Sequence, residues 1–220
     1  MPVIYVIGDS TVEDNKPPFR GWGWALPRFC AEGVQVKNHA LSGRSTRSFL
    51  DEGLFEPVRE GMQPGDVLLI QFGHNDEKAD AERHTDPESS YQEKLAVYCD
   101  VALEKGALPV LITPVSRRLY NEDDTLKVTH GEYPAAMRSF AASRGLPLVD
   151  LYASSRALFS KIGRAETAKY FVHIEPGENA DFPDGHDDPT HFNAEGAETI
   201  CGLVVDGLRG IEQICPLLAE

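Results

Sequence analysis

The segment Val3-Ile4-Tyr5-Val6-Ile7-Gly8-Asp9-Ser10-Thr11 joins an uninterrupted apolar run to a short polar turn. Such a run is typical of a strand that is buried on both faces of a parallel sheet. Gly8 permits a sharp turn at its end, and Asp and Ser are common turn residues. Because open α/β sheets bind ligands at the carboxyl ends of their strands, Ser10 stands where a reactive group can act. In the tetrapeptide alone, a turn or helix-capping serine is the more frequent role.

Four further apolar runs follow, each bounded by Gly, Pro or Asp, over residues 34–38, 67–72, 109–113 and 147–151. Helical patterns separate them, over residues 22–31, 46–62, 89–105, 133–143 and 193–208. This alternation predicts an α/β fold in a single domain of residues 1–220. We expect a flavodoxin-like three-layer α/β/α sandwich with a five-stranded parallel sheet and helices on both faces. Ser90 and Glu93 form a predicted capping box.

Three long acidic segments have no clear periodicity, over residues 75–87, 115–132 and 165–190. Loops of that length in a compact domain are usually functional or mobile. The first two directly follow predicted strands, so we expect them at the same edge of the sheet as Ser10.

The composition limits the possible partners. The 220-residue chain carries a net charge of -14, which disfavours binding to nucleic acid or an anionic membrane surface. Its apolar runs are too short for a transmembrane helix, and its four cysteines lack a zinc-ligand spacing. Met1 directly precedes the first strand without a signal-peptide pattern, which favours the cytoplasm, while a processed secreted form and the oligomeric state stay open.

Four short motifs carry the groups that could do chemistry: Gly8-Asp9-Ser10-Thr11, Ser42-Gly43-Arg44-Ser45, Gly73-His74-Asn75-Asp76 and Asp188-Pro189-Thr190-His191. The first three follow predicted strands, and the fourth precedes the last predicted helix. Because carboxyl ends of parallel strands meet at one edge of the sheet, these distant motifs are expected to converge.

The residue types suit nucleophilic catalysis. Ser10 becomes a nucleophile when a base accepts its proton, and His191 is the candidate base. Asp188 can hold the second ring nitrogen of His191 and stabilise the imidazolium. The candidate oxyanion hole consists of the Ser10 and Gly43 backbone N–H groups and the Asn75 side-chain amide. Each motif taken singly also has a structural role as a turn or cap, but their joint occurrence favours the catalytic interpretation.

These motifs resemble the four blocks of the GDSL/SGNH hydrolases, whose Ser, Gly, Asn and His are matched by Ser10, Gly43, Asn75 and His191. Further motifs are similar to the rhamnogalacturonan acetylesterase branch, namely those at residues 21–24, 42–45, 73–76, 113–118 and 188–192. The resemblance implies an SGNH hydrolase fold without a cofactor or metal. It also implies a serine esterase that removes O-acetyl groups from a carbohydrate. Acetylated rhamnogalacturonan (pectin) fragments are the first choice, with acetylxylan or another O-acetyl sugar as the alternative.

Candidate substrate-binding residues are Trp22, Arg44, His74 and Arg117. Trp22 could stack on a sugar ring or pack in the core, and His74 could bind substrate or make a structural hydrogen bond. At least one arginine among Arg44, Arg47, Arg117 and Arg118 is expected to bind a uronate carboxylate, since the guanidinium fork matches that group. Pairing with neighbouring acidic residues is the competing role.

Two other classes of function remain open from the sequence. Asp9, Asp76, Asp188, His74 and His191 are residue types that could hold a metal in a phosphoesterase, although no Asp-x-His pair is present. The same fold could also serve as a non-catalytic carbohydrate-binding module.

Overall fold

A five-stranded parallel sheet forms the centre of the computed structural model, which describes residues 2–219. Its strands are β1 (Val3–Gly8), β2 (Gln35–Asn38), β3 (Val67–Gln71), β4 (Leu108–Ile112) and β5 (Leu148–Val149). They lie in the order β2-β1-β3-β4-β5, and each adjacent pair is parallel. The predicted flavodoxin-like order is therefore confirmed.

Helices cover both faces of the sheet. They are α1 (Trp22–Ala25), α2 (Thr46–Asp51), α3 (Glu56–Gly61), α4 (Gln92–Glu104), α5 (Tyr133–Arg144), α6 (Leu151–Ala168) and α7 (Ala194–Leu208). Successive side chains of β1 point to opposite faces. Ile4 and Val6 pack in the core under α1, α6 and α7, whereas Tyr5 and Ile7 pack in the core under α2 to α5. Burial on both faces explains the continuous apolar run of this strand.

Three helix predictions need correction. Pro27 converts the end of the first helix into a 3-10 turn over Leu26–Phe29. The predicted helix over 46–62 is two helices, α2 and α3, because Gly53 between them has a φ of 71°. Ser90 does not cap α4, since it lies in a π turn (Pro87–Tyr91) and its hydroxyl accepts from the Asp86 N–H.

The acidic stretch over 165–190 contains ordered structure that its composition did not indicate. It holds the end of α6 and most of an antiparallel pair, β6 (Phe171–Ile174) and β7 (His186–Phe192). The fourth motif lies on β7, so a strand holds Asp188 and His191 in place. No helix within residues 2–219 has the length and apolarity needed to cross a membrane.

Gly8 fixes how closely the first motif approaches the centre of the sheet. A Cβ at this position would lie 2.7 Å from the Gln71 carbonyl oxygen and 2.7 Å from a methyl of Val12. Any larger residue must therefore push β1 and β3 apart or displace the turn that follows.

We predict that Gly8→Ala lowers the free energy of unfolding by about 1–3 kcal/mol, because the added methyl overpacks a rigid backbone contact. Gly202→Ala is the matched control, since a Cβ there meets nothing within 4 Å on α7. The control should gain up to about 1 kcal/mol from lower unfolded-state entropy. Urea unfolding of both variants measures the difference, and equal stabilities would contradict the close-approach argument.

Candidate active site

Ser10, His191 and Asp188 form a continuous hydrogen-bonded chain at the carboxyl edge of the sheet. Ser10 Oγ lies 2.8 Å from His191 Nε2, and His191 Nδ1 lies 2.7 Å from Asp188 Oδ2. Ser10 comes from the turn after β1, whereas the other two residues come from β7, 181 positions from Ser10 in the case of His191. The fold thus brings together the three residues that the sequence predicts to form a catalytic triad.

Asp188 is held as an ionised acceptor. Its Oδ1 accepts the backbone N–H groups of Thr190 and His191 at 2.7 and 2.9 Å. Burial alone raises the pKa of this carboxyl, but the hydrogen bond and charge of His191, with the two backbone donors, outweigh burial and lower the pKa. The carboxylate is therefore negative at neutral pH and can stabilise a positive imidazole.

A buried polar network anchors the turn that carries Ser10. Asp9 has no exposed surface, and its Oδ1 accepts from the Thr11 backbone N–H at 2.9 Å and from the Thr11 hydroxyl at 2.8 Å. Gln71 on β3 donates to Thr11 Oγ1 at 2.7 Å and accepts from Trp22 Nε1 at 2.7 Å. Trp22 is 0% exposed, so its indole cannot stack on a sugar. Of the two predicted roles of this residue, the structure shows packing in the core.

His74 takes the second oxygen of the same carboxylate. Its Nδ1 lies 3.1 Å from Asp9 Oδ2, and the side chain is only 4% exposed. Burial raises the pKa of Asp9, but the His74 charge and hydrogen bonds from His74 and Thr11 lower it overall. The His130 ring packs edge-on against His74 with a centroid distance of 4.5 Å, and burial lowers the pKa of His130. His74 therefore makes the structural hydrogen bond that was its alternative role, and it also lines the smaller of the two clefts at Ser10, so its role in binding substrate stays a prediction.

Gly43 and Asn75 lie beside Ser10 in the same cleft. Gly43 has a φ of 78°, which glycine adopts without strain, and a Cβ there would meet no protein atom within 4 Å. Its backbone conformation, more than lack of space, therefore favours glycine. Asn75 Nδ2 donates one hydrogen to the Arg44 carbonyl at 3.0 Å, which orients the amide.

The four candidate arginines have different environments. Arg44 donates to Glu52 at 2.6 Å and to the Ser42 carbonyl at 2.9 Å, outside the walls of both clefts described below. Arg118 pairs with Asp187 at 2.7 Å, and Arg47 donates to the Ala81 carbonyl at 3.1 Å. Arg117 lines the site, but it pairs with Glu77 at 2.6 Å. The prediction that Arg44 binds substrate is therefore wrong, because its guanidinium pairs with Glu52 and lies outside both clefts.

Three further residues contact the site. Glu13 Oε2 accepts the Ser42 backbone N–H at 2.7 Å and also the Ser42 hydroxyl, while Asn15 Nδ2 donates to the Ser10 carbonyl at 2.9 Å. His186 Nε2 lies 3.1 Å from Asp188 Oδ2. None belongs to the four motifs, and the only signal in the sequence was proximity to Ser10 or Asp188.

Two clefts meet at Ser10, Asn75 and His191. The larger has a volume of about 830 Å³, and the smaller has a volume of about 510 Å³. Within residues 2–219, no group of three or more His, Cys, Asp or Glu side chains is arranged to hold a metal ion.

Comparison with known proteins finds a matching family model and several similar proteins. The family model for the GDSL-like lipase/acylhydrolase family matches residues 6–199. The chain is 42% identical over 209 residues to rhamnogalacturonan acetylesterase RhgT of Bacillus subtilis, covering 94% of this chain and 89% of that protein. It is 30% identical over 217 residues to the rhamnogalacturonan acetylesterase of Emericella nidulans, covering 90% and 80%. The solved structure of YxiM from Bacillus subtilis has a TM-score of 0.82 at 28% identity, covering 96% of this chain but only 58% of that chain.

Asp76 provides a pH-dependent test of the buried site. It is 0% exposed, with Thr46 and Thr85 donating to Oδ1, while Oδ2 has no partner among residues 2–219. Burial raises the pKa of Asp76 to about 7 despite these hydrogen bonds. The folded protein therefore retains a proton that the unfolded chain, with a pKa near 3.8, has already released.

We predict that this contribution to stability is fully present below about pH 4 and is lost as the pH rises to about 7. The loss corresponds to up to about 4 kcal/mol from a shift of about three pKa units. Asp76→Asn mimics the protonated side chain and should lack this loss, so the two unfolding free energies, measured in urea from pH 4 to 8, should converge or cross. Parallel curves for the two proteins would show that Asp76 does not titrate in this range.

Proposed function

The chain belongs to the GDSL-like lipase/acylhydrolase family, and we propose that it is a serine esterase that removes O-acetyl groups from rhamnogalacturonan fragments. The observation that carries the reaction type is the unbroken Ser10–His191–Asp188 chain at the junction of two clefts. The substrate class is supported by the relatives from Bacillus subtilis and Emericella nidulans, both rhamnogalacturonan acetylesterases by name. The acidic composition of the chain also agrees with a substrate other than nucleic acid.

In the first half of the reaction, Ser10 Oγ attacks the acetyl carbonyl carbon while its proton passes to His191 Nε2. The resulting tetrahedral oxyanion collapses, the bond to the sugar oxygen breaks, and that oxygen takes the proton from His191. In the second half, His191 takes a proton from water as the water oxygen attacks the carbonyl carbon of the acetyl-serine. The second tetrahedral oxyanion collapses, the bond to Ser10 Oγ breaks to release acetate, and Ser10 Oγ takes the proton back from His191. Asp188 remains ionised and holds the imidazole in the tautomer that presents a bare Nε2 to Ser10.

The oxyanion hole is proposed to consist of the Ser10 N–H, the Gly43 N–H and the second Asn75 Nδ2 hydrogen. Neither backbone N–H donates to an acceptor among residues 2–219, and Asn75 uses one of its two amide hydrogens on Arg44. Such donors stabilise the charge that forms only in the transition state, so they act on kcat more than on KM.

Glu13 and Asn15 are proposed to position this oxyanion hole. Ser42 precedes Gly43, and its backbone N–H and hydroxyl are both held by Glu13. Asn15 joins the two halves of the hole, because its Oδ1 lies 3.1 Å from Ser42 Oγ and its Nδ2 donates to the Ser10 carbonyl. The distance between the Ser10 and Gly43 N–H groups therefore depends on these two side chains.

We predict that Ser10→Ala and His191→Ala each reduce turnover by at least about a thousandfold, because nucleophile and base act as one unit. Acetate release from acetylated rhamnogalacturonan fragments and hydrolysis of 4-nitrophenyl acetate are the two measurements. Thermal unfolding of each variant controls for misfolding, and a chelator should leave the wild-type rate unchanged. Substantial activity in a folded Ser10→Ala protein would exclude this mechanism.

We predict that Glu13→Ala lowers kcat about tenfold or more and leaves KM nearly unchanged, whereas Glu13→Gln retains more activity because it keeps an acceptor. The loss in the double variant Glu13→Ala/Ser42→Ala should be smaller than the sum of the two single losses, since each change removes the contact between the Glu13 carboxylate and the Ser42 hydroxyl. The exposed Glu60 on α3 supplies the control, Glu60→Ala. Additive losses, or a loss confined to KM, would assign Glu13 a different role.

A further inference from the structure

The two clefts that meet at Ser10 differ in the chemistry of their walls. The larger cleft is lined by the rings of Pro17, Pro18, Phe19, Phe182 and His186. The smaller cleft is lined by polar and charged groups, including Glu77, Lys78 and Arg117. Both share Ser10 and His191, so a chain-like ligand that crosses the nucleophile must place a different part of itself in each cleft.

Aromatic contacts shape the wall of the larger cleft. The rings of Phe19 and Phe182 lie 5.9 Å apart, and Phe182 stacks on His186 at 4.8 Å with an interplanar angle of 22°. The edge contact between Phe19 and His191, at 6.0 Å, joins this wall to the triad. Both phenylalanines are half-buried, so part of each ring is accessible. Partly exposed aromatic rings in a cleft suit the C–H face of a sugar ring.

Charge makes the larger cleft unfavourable for a carboxylate. Four acidic residues line it, Glu13, Asp14, Asp181 and Asp188, with Lys16 as the cation in the lining and Arg20 paired with Asp14 at 3.3 Å. An anionic sugar entering there would meet more negative than positive charge, whereas a neutral sugar would not be repelled. The larger cleft therefore fits a neutral ring.

The smaller cleft offers a cation that the protein does not neutralise. Glu77 pairs with Arg117, which also donates to the Thr129 carbonyl at 2.9 Å. Lys78 is exposed at the rim and has no carboxylate partner within 4.0 Å among residues 2–219. A ligand carboxylate can therefore bind Lys78 without displacing an existing ion pair.

We propose that the sugar chain crosses Ser10 with a neutral ring on the Phe19–Phe182 wall and a uronate carboxylate against Lys78. This assignment rests on the proposed esterase function and adds the orientation in which the sugar chain lies across Ser10. It also replaces the expectation that an arginine is the main uronate ligand, because the one arginine in these walls already has a carboxylate partner.

The test uses ligands that need no turnover. De-acetylated rhamnogalacturonan oligosaccharides, which are anionic, and xylo-oligosaccharides, which are neutral, compete with 4-nitrophenyl acetate in the wild-type protein and in each variant. The inhibition constants measure how tightly each oligosaccharide binds in the two clefts. The rate of 4-nitrophenyl acetate hydrolysis without oligosaccharide measures the activity of the catalytic triad. Failure of the wild-type protein to hydrolyse 4-nitrophenyl acetate would count against the proposed function itself.

For Lys78→Ala, the inhibition constant of the anionic oligosaccharide should rise about threefold to fivefold at low salt, as expected for an exposed ion pair. That of the neutral oligosaccharide should not change. In the wild-type protein, added salt should weaken the anionic ligand alone, and Lys78→Ala should remove most of this dependence. Lys161→Ala, at an exposed position on α6, is the charge-matched control. Equal effects on both ligands, or none, would overturn the uronate assignment.

For Phe182→Ala, the inhibition constants of both oligosaccharides should rise roughly threefold to tenfold, because the ring contacts a sugar regardless of its neighbour's charge. Phe182→Tyr should retain binding, and each inhibition constant is compared with the same variant's own rate of 4-nitrophenyl acetate hydrolysis without oligosaccharide. Leu103→Ala, at an exposed apolar position on α4, is the control. Unchanged inhibition in Phe182→Ala, with its fold verified by thermal unfolding, would overturn the assignment of the aromatic wall.

Discussion

The buried carboxylate of Asp9 holds the turn on which the active site is built. One oxygen accepts two hydrogen bonds from Thr11, and the other contacts His74, so the turn after β1 cannot rotate independently of β3 and the loop that follows it. Gln71 and Trp22 extend the same network into the core. Within this network His74 Nε2 has no partner among residues 2–219, while the other polar side-chain atoms are hydrogen-bonded and favour a single arrangement. The position of Ser10 is thereby set largely by buried residues such as Asp9, Gln71 and Trp22.

The sequence predicted the centre of the sheet well because β1, β3 and β4 are buried on both faces. A strand such as β1 must then be apolar throughout, and short apolar runs between helical patterns leave few alternatives. The helix α6 and the pair β6–β7 were missed for the opposite reason. Most of β7 is polar, since its side chains serve the site and the surface, and α6 is interrupted at Gly163, which has a φ of 81°. Tertiary contacts, more than local periodicity, define these elements.

The catalytic candidates could be predicted because three motifs at strand ends and a fourth before the last helix occur together, although 181 positions separate Ser10 from His191. The residues proposed to support them, such as Glu13 and Lys78, could not be predicted from the sequence. Glu13 and Lys78 lie in loops where acidic and basic residues are common, and only the folded geometry distinguishes a carboxylate that binds Ser42 from one that faces solvent. Trp22 shows the reverse case: a residue beside the site in sequence whose ring is directed into the core.

The pKa values of the two buried acids near Ser10 are shifted in opposite directions. Asp9 has a charge partner in His74, which lowers the pKa of Asp9, whereas Asp76 receives only hydroxyl and amide donors. Burial is the main reason that the pKa of Asp76 rises to about 7, and the negative charge of Asp9 adds to the increase. Asp76 directly follows Asn75, the proposed side-chain donor of the oxyanion hole. A second full negative charge there would oppose the developing oxyanion in a medium of low dielectric constant. The raised pKa of Asp76 therefore reduces the negative charge that two structural acids place close to a centre that must itself accept negative charge.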